Sequence, residues 1–74
     1  MSMASSDFEL RGDRIALAAL LKASGIASSG GAAKALLAEG QVRVNGEPES
    51  RRGRKLRDGD EVQIGDQRLR VRSA

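Results

Sequence analysis

The sequence predicts an α+β fold, with two packed helices against a small, mostly antiparallel sheet of four or five short strands. Three observations carry this expectation. Apolar residues recur at helical spacing in Leu17–Leu21 and again in Ala33–Leu37, and a glycine follows each stretch (Gly25 and Gly40). Val42 and Val44, Val62 and Ile64, and Leu69 and Val71 alternate with polar residues, as half-buried strands do. Asn45-Gly46, Asp58-Gly59 and Gly65-Asp66 separate those runs as tight turns. The 74 residues make one domain, read as residues 7–74, behind a polar tail at residues 1–6 that is expected to be disordered. A chain of this length buries only about 60% of its unfolded surface, so the core is small.

The elements follow in chain order. Phe8 and Leu10 alternate with Asp7, Glu9 and Arg11, which predicts a short first strand. Gly12-Asp13 turns the chain, and Asp13 is placed to cap the first helix. That helix is expected to run to about Ser24, with Leu17, Leu20 and Leu21 on one face. Gly25 ends it, and the short link Ile26-Ala27 brings the second helix alongside. Ser28 or Ser29 caps the second helix, because a serine oxygen accepts from a free N–H of the first turn. Ala33, Leu36 and Leu37 form its buried stripe. A strand through Val42 and Val44 meets Asn45-Gly46, where both residues tolerate positive φ. Glu47-Pro48-Glu49 is at best an edge strand, since Pro48 donates no ladder bond. A basic loop follows, then short strands at Lys55–Arg57, Val62–Ile64 and Leu69–Val71.

Composition narrows the chemistry. The chain has no histidine, cysteine, tyrosine or tryptophan. That removes the commonest general base, the thiol nucleophile and most metal ligands. No phosphate-cradling Gly-x-x-x-x-Gly-Lys-Ser/Thr run occurs. We therefore expect no enzyme, no metal, no cofactor and no small-molecule substrate. The longest apolar run, Ile15 to Leu21, has seven residues, far from the roughly 20 of a membrane span, so no membrane partner is expected.

The net charge is only +3, but its distribution is uneven. Residues 1–40 balance four cations (Arg11, Arg14, Lys22, Lys34) against four acids (Asp7, Glu9, Asp13, Glu39). The excess lies in residues 41–74, where Ser50 to Arg57 holds Arg51, Arg52, Arg54, Lys55 and Arg57 without an acid. Concentrated positive charge is the footprint of a polyanion partner. A solvated loop is the alternative reading. Gly30 and Gly31 also admit two readings. They leave a helix start bare for close approach of a phosphate, or they are loop and the helix begins near Ala32. Lys34 lies one helical turn further on, outside the apolar stripe. Arg43 alternates with Val42 and Val44 and points away from the core.

Ser29, Ala33, Lys34, Leu36, Leu37, Gly40, Val42, Val44, Asn45 and Gly46, followed by Asp58-Gly59-Asp60-Glu61-Val62, resemble the S-four-type RNA-binding domain, or α-L motif. The resemblance covers roughly Leu17 to Ile64. Two departures remove charge: Ala16-Leu17-Ala18 stands where the family has Arg-Leu-Asp, and Gly30 where it often has arginine. These make the chain look like the small stand-alone members of bacteria. The resemblance implies non-catalytic binding of structured RNA, ribosomal or transfer RNA, by a cytoplasmic monomer. Together with the reading of the residues above, it makes Ser29, Gly30, Gly31, Lys34, Arg43, Arg51, Arg52, Arg54 and Lys55 the candidate RNA contacts. With Phe8 the only aromatic and assigned to the core, recognition is expected to rest on phosphates, sugar hydroxyls and helix shape. The alternatives are a protein-interaction module docking on an acidic partner or a ribosomal protein, and a specificity subunit for a separate RNA-modifying enzyme. Arg68, Arg70 and Arg72 are read as an exposed strand face rather than a ligand site.

Overall fold

In the computed structural model, which describes residues 4–73, the chain opens with strand β1, Ala4–Leu10. Ala4 to Ser6 are thus strand, not the disordered tail expected there; Met1 to Met3 lie outside the described residues. The reason is non-local. β1 pairs in parallel with a strand at the far end of the chain, from Ala4↔Gln67 to Leu10↔Ser73. Backbone pairing of this kind needs no apolar side chain at Ser5 and Ser6.

Strand β2, Ile15–Ala16, precedes helix α1, Leu17–Ala23. Asp13 is not the cap. Ala16 holds that position and offers no side-chain bond. The free N–H groups of Leu17 and Ala18 instead donate to the carbonyls of Arg54 (2.8 Å) and Arg52 (3.0 Å). Any helix start must satisfy such donors, and here the basic loop does so. α1 buries Leu17, Leu20 and Leu21, as its spacing predicts, and the chain leaves through Ser24 and Gly25, whose φ is +84°.

Helix α2, Gly30–Ala38, begins at the first of the two glycines, so both are helical. Ser29 is the cap, its Oγ accepting from the Ala32 N–H at 3.1 Å. Ala33 and Leu37 are buried, whereas Leu36 is only partly covered and packs at the margin of the core. Strand β3, Val42–Val44, turns at Asn45 and Gly46, with φ of +52° and +87°, into β4, Glu47–Pro48. Pro48 lies on the sheet edge, where a missing N–H costs no ladder bond.

Strand β5, Lys55–Leu56, pairs antiparallel with β2 in a separate two-stranded ladder. Strands β6, Glu61–Ile64, and β7, Gln67–Ser73, complete the main sheet. Its order is β1-β7-β6-β3-β4, with every neighbouring pair antiparallel except β1 and β7. One core joins Leu17, Leu20 and Leu21 of α1, Ala33 and Leu37 of α2, Leu56, and the inward valines and isoleucine of the sheet. The opposite face of the sheet carries Arg43, Gln63, Arg68 and Arg70. Among the described residues, no helix is long and apolar enough to cross a membrane.

Candidate functional site

The basic segment between β4 and β5 is held from both ends. At its start stands Glu49, 8% exposed. Its Oε2 accepts from the N–H groups of Ser50 and Arg51 (3.1 Å each) and from Arg51 Nε (3.2 Å). Its Oε1 accepts from Arg51 Nη2 (3.2 Å) and Arg54 Nη1 (2.9 Å). These bonds, led by those from the Arg51 and Arg54 side chains, hold the Glu49 carboxyl at about 2, below its ordinary 4.5. The same carboxylate raises the Arg51 guanidinium above its usual value. At the other end, the Arg52 and Arg54 carbonyls are tied to the first turn of α1. The Arg54 N–H closes the tip by donating to the Arg51 carbonyl at 3.2 Å.

So fixed, the loop stands across from α2. Lys34, Leu37 and Ala38 form one wall and Ser50, Arg51, Arg52 and Gly53 the other, around an open groove of about 480 Å³. Lys34 and Arg52 are exposed, and neither has an ion-pair partner among the described residues. Arg51 also lines the groove, but with two of its nitrogens committed to Glu49.

The groove therefore unites Lys34, Arg51 and Arg52 of the nine sequence candidates. Ser29, Gly30 and Gly31 form the open start of the same helix, and Gly30 shares the Lys34 face one turn earlier. Neither glycine has positive φ, and a Cβ on Gly30 would meet nothing within 4 Å. Their effect is thus to leave the helix start uncovered. Arg54 is half-buried and turned to Glu49, and Lys55 is exposed on β5, opposite Ala16. Arg43 is not brought to the groove. It lies on the outward face of β3, opposite Gln63, with Nη1 3.4 Å from the Gly46 carbonyl.

Glu49 escaped the sequence reading, which assigned it to an edge strand and counted only the acid-free run after it. The available signal was an acid directly before a cluster of arginines. Asn45 combines its turn with a brace. Its Oδ1 accepts from the Glu61 N–H (3.0 Å), and its Nδ2 donates to Asp60 (3.1 Å). Among the described residues, no group of three or more acids, histidines or cysteines is placed to hold a metal.

An α+β module in which two helices and a small sheet present a braced basic loop defines the class. A family model described as S4 domain matches residues 8–72, and the chain belongs to that family. The chain is also 50% identical, over 52 residues, to the probable ribosome maturation protein RlbA of Bacillus subtilis (strain 168). The matched region covers 70% of this chain and 73% of that protein. The family match takes in Phe8–Leu10 and Leu69–Arg72, beyond the stretch whose motifs carried the resemblance.

Proposed function

We propose that the chain binds structured RNA, as a monomer in the cytoplasm and without catalysis, and that its target is ribosomal or transfer RNA. The observation that supports this best is the groove between α2 and the basic loop, with Lys34 on one wall and Arg51 and Arg52 on the other. Cations at the rim of an open groove suit a phosphate backbone, which contacts proteins mainly through its oxygens. The bare first turn of α2 adds N–H donors and the positive end of the helix dipole. Glu49 and α1 hold the loop in place, so little ordering is required on binding. In this reading Lys34 and Arg52 make the principal phosphate contacts, Arg51, Lys55 and the α2 start add to them, and Arg54 positions the loop. The relative's name, a ribosome maturation protein, favours ribosomal RNA over transfer RNA.

The test compares two exposed arginines. Arg52→Ala should weaken binding to an RNA hairpin by about tenfold, in the range of one lost charged contact, while Tm stays within a degree or two. Arg43→Ala, on the other sheet face, should change affinity less than twofold. Equal losses from both, or none from Arg52→Ala, would remove the groove as the binding site.

A further inference from the structure

The edge of the sheet remote from β4 offers a second surface. β1 is the last strand in the sheet order, and its outer edge pairs with nothing among the described residues. It is seven residues long and contains no proline. Open edges of this kind pair readily with another strand unless they are blocked. Beside the C-terminal end of β1 lies an open hollow of about 510 Å³. Phe8, Leu10, Ile15 and Ala23 give it an apolar lining, with one acid, Glu9, and two cations, Arg11 and Arg14, at the same site. Phe8 and Ile15 are only partly buried, unlike the leucines of the core. Arg68 and Arg70 pair with Glu61, and Arg72 with Asp7. Arg11 and Arg14 are exposed and have no ion pair among the described residues.

We propose that the β1 edge, the apolar hollow and these two arginines form a docking surface for an extended acidic segment of another protein. A peptide strand satisfies the free edge groups, which a nucleic acid does not. Phe8 and Leu10 share the inner face of β1, so the added strand places alternate apolar residues beside them. Beyond Leu10 the strand reaches Arg11 and Arg14, which call for carboxylates. Asp7 and Glu9 alternate with Phe8 and Leu10 on the other face, where Asp7 is already paired with Arg72, so the intervening positions take uncharged or basic residues. β1 and β4 lie at opposite edges of the sheet, four strand spacings apart, or roughly 19 Å. A partner strand on β1 therefore leaves free the loop that follows β4. The chain becomes an adaptor with an RNA face and a protein face, and the protein face stands whether or not the groove binds RNA.

The test titrates the isotope-labelled full chain with a synthetic peptide in which two valines alternate with threonines and two glutamates follow. A control peptide carries two lysines instead. The acidic peptide should move the amide signals of Phe8–Arg11, Arg14, Ile15 and Ala23 and slow hydrogen exchange along β1. The double variant Arg11→Glu, Arg14→Glu should lose at least tenfold in affinity for the acidic peptide and gain binding to the lysine peptide, with unchanged Tm. No shift at these residues with millimolar acidic peptide overturns the proposal. So does equal binding of both peptides. An RNA hairpin that moves the same signals and displaces the peptide would assign the edge to nucleic acid and overturn it as well.

Discussion

Glu49 shows how one side chain changes the meaning of its neighbours. Five cations between Ser50 and Arg57 look equivalent in the sequence, but Arg51 and Arg54 spend hydrogen bonds on a carboxylate that is almost wholly covered. A covered carboxylate is tolerated only when paired. Removing Arg51 or Arg54 therefore strikes at stability as well as at charge, whereas Arg52 at the loop tip is free of that duty. The depressed carboxyl also ties stability to pH. The folded chain binds the Glu49 proton less readily than the unfolded one, whose carboxyl has its ordinary value of 4.5. The stabilisation is therefore fully present above about 4.5 and is lost as pH falls towards about 2. Glu49→Gln should lower Tm near neutrality, and the gap from the parent should close over that window in melting curves. A gap that stays constant with pH would show that the Glu49 charge is not what holds the loop.

Helices α1 and α2 differ in how much of their form is local. Ser29, Gly40 and the Asn45-Gly46 turn act within a few residues of themselves, so α2, β3 and the turn were legible from the sequence. The start of α1 was not. Its donors are met by the Arg52 and Arg54 carbonyls, far along the chain, and no nearby side chain announces them. The same holds for β1, whose first residues are strand because β7 lies beside them. Of the candidate site, Lys34 and the basic run were legible as charge. Which arginines face the groove was not, because Glu49 sorts them in three dimensions. The α2 stripe gives a sharper test. Leu37 is buried and Leu36 only partly so. Leu37→Ala should cost about 2–5 kcal/mol in denaturant unfolding, as for other buried leucines. Leu36→Ala should cost roughly 1–2 kcal/mol, since less of its surface leaves water on folding. Equal losses would mean that the helix is rotated about its axis relative to the arrangement described.

Across the whole molecule, charge is sorted by face. On the outward sheet face, Arg68 and Arg70 are matched by Glu61 and Arg72 by Asp7, and Arg43 there bonds only to the Gly46 carbonyl. On the α2 side, Lys34 and Arg52 stand without acids beside an open groove. A net charge of +3 hides this separation. Two unmatched cations and the partly committed Arg51 make a compact positive site on a small, braced frame. If that site clamps a phosphate backbone, binding must release counterions condensed on the RNA. The most direct measurement is hairpin affinity at several salt concentrations. With about three or four phosphates engaged, the slope of log affinity against log salt should be on the order of −2 to −4. Lys34→Ala should make that slope shallower by about one unit and weaken every hairpin by a similar factor. A flat salt dependence, or a Lys34→Ala slope equal to the parent's, would contradict the phosphate clamp.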